Sequence, residues 1–366
     1  MSVINDLVTD QRVHKTCMLL HEAGMDVTLV GRVKRDSLPM TERPYRTKRM
    51  KLLFETGVPF YAAFHFRLFF FLLFRKKDLL VSNDLDTLLP NYLNKKLSGA
   101  KLIYDSHEIF CEVPELAGTP SKKKTWERIE RSIVPELKYC ITVNQSIADW
   151  FNKKYQGNFK VVRNIPNLPA YAQLKTREDL GLSLTKKIVL LQGAGINIQR
   201  GAEEAIDAMQ YIDNAIFLII GGGDAFKSLE LRVERLGLSE KVILKGKMRP
   251  EELMHYTRNA DIGITLDKDS NINYHFSLPN KIFDYIHANL PILASPLPEI
   301  KAIIEKYNIG CLIENHDPKH IAERMQFMLS SAEYKTWKKN LEKAAAENNW
   351  EKEKKVWEKM ILDLKM

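Results

Sequence analysis

Three short stretches of this sequence combine residue types that hold anions or sugar hydroxyls. In LLQGAGINIQRGAEEAI, residues 190–206, an apolar run ends at Gly193 and Gly195 and passes through Arg200 and Gly201 into a helix-forming stretch. Glycines let backbone approach a ligand, the free amides of a helix start favour negative charge, and Arg200 adds a cation beside them. A departing diphosphate needs such stabilisation, because its charge grows as the bond to it breaks. An ordinary strand-to-helix turn uses the same residues, and the full dinucleotide glycine fingerprint with its later acid is not matched.

In YHFSLPNKIFDYIHANLPILAS, residues 274–295, Pro279 marks a helix start, with Asn280 and Lys281 in the first turn. A lysine there opposes the helix dipole at a cost of a few tenths of a kcal/mol unless an anion lies between them, so Lys281 points to a ligand phosphate. Asp284, one turn on, can accept hydrogen bonds from ribose hydroxyls; a Lys and Asp pair on a solvated helix face has the same spacing. In KLIYDSHEIFCEVPE, residues 101–115, Asp105, His107 and Glu108 follow a strand directly, where a histidine can contact a sugar hydroxyl, shuttle a proton or simply cap a loop. The IIGGGD turn, residues 219–224, is a further strand end, either approaching a nucleotide or only turning.

The elements needed to place these residues alternate along the chain. VINDLV, DVTLVG, DLLVSN, KLIYDS and YCITVN, with a helix from about Gln11 to Ala23, have the rhythm of a parallel sheet with crossover helices. After RNIPNLPA, residues 163–170, the rhythm restarts with KIVLLQG, AIFLIIGGG, KVILKG, DIGITL and PILAS. The intervening helices are expected over 202–209, 226–236, 250–257 and 281–288. Beyond Asp317 the pattern is wholly helical, with Trp337, Trp350 and Trp357 as packing anchors. At 366 residues two cores are the natural expectation. We therefore expect an α/β protein with two Rossmann-like domains, 1–165 and 172–345, followed by a C-terminal helix, 346–366. In such sheets ligands gather at the carboxyl ends of the strands.

The four cysteines, Cys17, Cys111, Cys140 and Cys311, form no C-x-x-C pair, which argues against a zinc site or a disulfide framework. The first residues lack the order of a secretory signal, so a cytoplasmic location is expected. The net charge of +9 is concentrated between Arg32 and Lys77. With no aromatic-interleaved basic motif, nucleic acid is not the expected partner, and an anionic membrane surface fits better. The apolar run VPFYAAFHFRLFFFLLF, residues 58–74, is too short and too interrupted to span a bilayer. It reads either as a helix buried against a sheet or as one with a face on lipid.

Taken together, QGAGINIQRG, IIGGGD, GKMRPEEL and SLPNKIFDYIHANLPILAS resemble the family four glycosyltransferases of GT-B fold, over nearly the whole chain. TDQRVHK, YDSHEIFCEVPEL and RNIP are similar to a bacterial branch that builds surface polysaccharides. The resemblance implies two Rossmann-like domains facing a cleft, with 1–165 on the acceptor side, 172–345 on the donor side, and the C-terminal helix crossing back to the first. It implies transfer of a sugar from a UDP- or GDP-type donor to a saccharide or lipid-linked acceptor. It further implies retention, with no metal or other cofactor. Arg200 matches the family's pyrophosphate-binding basic residue, Asp284 the ribose-binding second acid of E-x7-E, and His107 a histidine near the donor sugar. Lys247 and Met248 fall in the loop that lines the base. Asp105 and Glu108 would stand beside His107 on the acceptor side.

Two positions depart from that pattern. Ala194 stands where an arginine is common, and Phe276 stands where the first glutamate of E-x7-E belongs. Lys281 is the candidate to replace the missing positive charge. Two other readings of the same chain are a nucleotide-sugar epimerase and a catalytically degenerate nucleotide-sugar scaffold.

Overall fold

The computed structural model describes residues 1–366 except 9, 36, 38, 167–173 and 366, so the latter part of RNIPNLPA lies outside the described residues. The chain divides into two compact units, Met1–Asn164 together with Glu353–Met366, and Ile165–Lys352. In the first, β1 (Ser2–Asp6), β2 (Thr28–Val33), β3 (Arg46–Lys51), β4 (Leu79–Asn83), β5 (Lys101–Ser106), β6 (Tyr139–Thr142) and β7 (Phe159–Val161) form one sheet in the order β3-β2-β1-β4-β5-β6-β7. In the second, β8 (Lys187–Gly193), β9 (Ala215–Gly221), β10 (Val242–Lys245), β11 (Ile262–Thr265), β12 (Ile292–Ala294) and β13 (Gly310–Leu312) follow the order β10-β9-β8-β11-β12-β13. All pairings between these strands are parallel.

Parallel strands need crossover helices, and helices on both faces leave both faces dry. Strands β8 and β9 show this residue by residue. Val189, Leu191, Phe217 and Ile219 pack into one core, while Ile188, Leu190, Leu218 and Ile220 pack into the other. The apolar runs read from the sequence are these central strands. The strands it did not reveal, β3, β7 and β13, are all sheet edges. RTKRMK in β3 is a mostly cationic strand, which protects an open edge from pairing with other chains.

The apolar run forms the helix Gly57–Leu73, with one buried and one exposed apolar face. Phe60, Phe64, Leu68 and Leu72, four residues apart, are buried, and the helix packs on its neighbour Leu85–Ser98. Two residues out of step, on the opposite face, Phe66, Phe70 and Phe74 are exposed, with adjacent ring centroids 4.6 and 6.2 Å apart. Among the described residues no helix is long and apolar enough to cross a membrane.

The last helix, Trp350–Lys365, is tied to the first unit by Glu353, whose Oε2 accepts the Arg163 amide at 2.6 Å and whose Oε1 accepts the guanidinium at 2.6 and 3.0 Å. Trp337 and Trp357 are fully buried. The two faces of the aromatic helix predict opposite outcomes. Phe64→Ala should lower unfolding free energy by about 3–5 kcal/mol, while Phe66→Ser should change it by no more than about 0.5 kcal/mol, both read from denaturant unfolding.

Candidate functional site

In each sheet the strand order reverses once, between β1 and β4 in the first and between β8 and β11 in the second. At such a reversal the loops leaving neighbouring strands part to opposite faces and open a crevice at the carboxyl ends. Arg200 follows β8 at the second reversal, and His107 follows β5, the strand beside β4.

In the second unit, β8 runs into Gly193 and a loop that carries Arg200, and β11 is followed by Asp267. Arg200 Nη1 donates to Asp267 Oδ1 at 2.7 Å, and its guanidinium lies 4.0 Å from the centroid of the Tyr274 ring. Asp267 is wholly buried and also accepts from Thr265 Oγ1 at 2.8 Å. Burial would raise its pKa, yet Lys281 and Arg200 beside it hold the carboxyl below its ordinary value. Burial also pushes the half-buried Lys281 ammonium down, against the pull of Asp267 and Asp284. Arg200 and Lys281 thus both act on buried Asp267, and Asp284 also acts on Lys281.

The glycines divide by role. A Cβ on Gly193 or Gly195 would meet nothing nearer than 3.9 Å, and at Gly193 that nearest atom is Cε of Lys281. Gly201 differs. Its φ is +75°, and a Cβ there would lie 2.2 Å from the Leu266 carbonyl oxygen, so close packing against β11 accounts for this glycine. The IIGGGD turn also serves packing, since a Cβ on Gly221 would collide with the Gly193 carbonyl.

Asn280 is exposed and makes no side-chain capping bond at the start of Lys281–His287. Asp284 Oδ2 accepts from Gln192 Nε2 at 3.0 Å, and Gln192 Oε1 in turn accepts from Thr257 Oγ1 at 2.7 Å. Lys247 is exposed with its stem over Gly222, while Met248 packs on the core. Asp267, Tyr274 and Gln192 were not singled out from the sequence. An acid directly after the DIGITL strand, like Asp105 after KLIYDS, was the available signal for Asp267.

In the first unit, Asp105 is fully buried and bridged by Arg12, whose Nη2 and Nε donate to its two oxygens at 2.6 and 3.1 Å. Its carboxylate thus lies between Arg12 and His107. His107 Nδ1 stands 3.2 Å from Asp84 Oδ2, and Nε2 stands 3.5 Å from Asp105 Oδ2. Glu108 is half-buried, and its backbone carbonyl accepts from Ser106 Oγ at 2.8 Å. Burial by itself disfavours a charged ring, but Asp84 and Asp105 outweigh it and lift His107 to about 9. Burial likewise opposes ionisation of Asp105, yet Arg12 and His107 bring it down to about 2. A histidine held this way is favoured in its charged form at neutral pH, in which both ring nitrogens carry protons. Among the described residues no three His, Cys, Asp or Glu side chains stand together as a metal-ligand set.

Residues 173–347 match the family model of glycosyl transferases group 1. That span covers the second sheet and every donor-side candidate named above. No curated protein matches the chain. Among solved structures, it is similar to sucrose-phosphate synthase from Thermosynechococcus elongatus, with TM-score 0.81 and 18% identity over 96% of this chain and 92% of that one. It is similar to Anabaena HepE in complex with UDP and glucose, with TM-score 0.74 and 13% identity over 99% and 98%. A glycosyltransferase from Rickettsia africae gives 0.73 and 12% over 99% and 97%. The fold, two parallel-sheet Rossmann-like domains, is therefore the GT-B fold.

The charged histidine has a measurable consequence. Its folded pKa lies above the ordinary value of 6.5, so its contribution to stability is complete below that pH and is lost as pH rises through about 9. The loss should be no more than about 3 kcal/mol. Melting curves of the wild type and His107→Gln from pH 6 to 10 should converge with rising pH; parallel curves would contradict the ion-paired ring.

Proposed function

We propose that this chain is a glycosyltransferase that moves a sugar from a UDP- or GDP-type donor to a saccharide or lipid-linked acceptor. The observation that carries the reading is the meeting of Arg200 and Lys281 over buried Asp267, beside the open backbone of Gly193 and Gly195, within a span that matches the group 1 transferases. The UDP seen with Anabaena HepE supports a nucleoside diphosphate as leaving group.

On this reading the donor pyrophosphate lies along Gly193–Gly195, where Arg200 and Lys281 offset the charge that grows as the glycosidic bond breaks. Lys281 takes the place of the arginine absent at Ala194. Asp284, oriented by Gln192, accepts from the ribose hydroxyls, while Met248 and Lys247 lie towards the base. The acceptor oxygen bonds to the anomeric carbon on the face the diphosphate leaves. Its proton passes to the departing phosphate oxygen, which gives retention without a metal ion or other cofactor. His107, as a fixed donor, meets a sugar hydroxyl.

The acceptor side carries a second supporting feature. Between Arg46 and Lys77 there are eight Lys or Arg residues and one acid, Glu55, around the exposed phenylalanine stripe. Cations beside exposed aromatic rings suit the surface of an anionic bilayer, where the rings enter the interface and the cations meet headgroups. A peripheral position at the cytoplasmic membrane face, and a lipid-linked acceptor, follow from this reading.

A thermal-shift screen of nucleoside diphosphates and nucleotide sugars tests the donor site. At a ligand concentration about 100 times Kd, a selective ligand should add about 2.7 kcal/mol of apparent stability. Arg200→Ala and Lys281→Ala should each weaken that response. No shift with any donor at millimolar concentration would favour the degenerate scaffold, and donor conversion without an acceptor would favour the epimerase.

Flotation with phosphatidylglycerol vesicles tests the membrane face. The wild type should float at low salt, less so at about 0.5 M salt, where the Debye length is only a few ångströms. The triple variant Phe66→Ser, Phe70→Ser, Phe74→Ser should remain behind. A wild type that stays at the bottom at low salt removes the membrane reading.

A further inference from the structure

We infer that Asp84 is a positioning residue of the proposed transfer, held in a glycine-type backbone conformation so that its carboxylate fixes the His107 ring as a hydrogen-bond donor. The inference rests on the transferase reading for its role in turnover, and on geometry for the contact itself. Asp84 follows β4 directly and has φ 60° and ψ 168°. That region is populated almost only by glycine, and a side chain kept there signals that the surroundings, or the function, demand it.

The residue also stands at the start of the helix Leu85–Ser98, a position where an aspartate ordinarily caps the helix by accepting its free amides. Asp84 makes no such bond. Its Oδ1 accepts the backbone amide of His107 at 2.7 Å, and its Oδ2 faces Nδ1 of the ring at 3.2 Å. Its own amide donates to the Asp105 carbonyl at 2.9 Å, which carries the β4–β5 ladder one residue further and locks the turn. A glycine would suit the backbone, and a capping aspartate would suit the helix. The observed residue does neither, and its carboxylate is spent on His107.

The charged groups around the ring come from each neighbouring segment. Asp84 approaches from the β4 turn, Asp105 from β5, and Arg12 from the helix Gln11–Glu22. Asp86 on the helix Leu85–Ser98 interacts with both Asp84 and His107, Glu108 acts on Asp86, and Asp10 acts on Asp84. Asp105 divides its carboxylate between Arg12 and the ring, whereas Asp84 turns one oxygen to the His107 amide and the other to the ring. Nδ1 faces Asp84 Oδ2 at 3.2 Å, and the buried Nε2 faces Asp105 Oδ2 at 3.5 Å.

The test uses the full chain with isotope-labelled histidine. Asp84→Asn keeps an oxygen for the His107 amide but removes the charge, and Asp84→Gly removes the side chain while relieving the backbone. In Asp84→Asn the His107 ring should titrate at a clearly lower pH than in the wild type, with the other histidine signals unmoved. Turnover of the donor found by thermal shift should fall about tenfold or more in kcat with little change in donor KM. Asp84→Gly should fold, bind donor and lose turnover likewise. An unmoved His107 titration in Asp84→Asn, or a moved titration with unchanged kcat, overturns the assignment. A wild type that transfers no sugar from any donor counts instead against the transferase reading, and the ring titration then still decides whether Asp84 holds His107.

Discussion

The reversal of strand order within each parallel sheet is the constraint from which the rest of this structure follows. A right-handed crossover leaves a helix on one face when the chain moves one way along the sheet and on the other face when it moves back. Only where the direction changes do adjacent loops diverge. The β1–β4 and β8–β11 junctions are those places. The segments that follow β1, β4, β5, β8 and β11 carry Arg12, Asp84, His107, Arg200 and Asp267.

Charges placed at the top of a dry sheet must be satisfied by each other. Asp105 and Asp267 are both fully buried, and each is met by an arginine from the segment following the first strand of its sheet half: Arg12 after β1 and Arg200 after β8. The two units use the same pairing. They differ in what stands beside it. Beside Asp105 is a histidine between two carboxylates, whereas beside Asp267 is a second cation, Lys281. The first arrangement holds an imidazole between acids, and the second sets two cations near open glycine backbone. These are different chemical offers, one suited to hydroxyls and the other to phosphate.

Substituting Phe276 for the expected glutamate leaves no acid at that position to face a sugar, and the arrangement around it is built on other residues. Tyr274, two residues earlier, is buried and backs the Arg200 guanidinium, so this loop orients the cation. The surface helix Gly57–Leu73 departs from ordinary patterning in another way. A helix with one face in the core normally turns a polar face to water. Here both faces are apolar, and the compensating charge lies on the neighbouring edge strand and on the Arg75–Lys77 segment.

What the sequence by itself determined was whatever depends on neighbours along the chain. Apolar runs marked the central strands, helical spacing marked the crossovers, and residue type marked Arg200, Lys281, Asp284 and His107. Edge strands β3, β7 and β13 escaped, because a half-exposed strand of three to six residues needs no apolar run. The tertiary structure alone decided the pairings, since Arg12 lies 93 residues from Asp105, and Arg200 lies 67 from Asp267. It also decided that Gly201 serves packing and that Asp105 lies between Arg12 and His107. The backbone angle of Asp84 was beyond any reading of composition or period, because a strained conformation is imposed by contacts between segments distant in the chain.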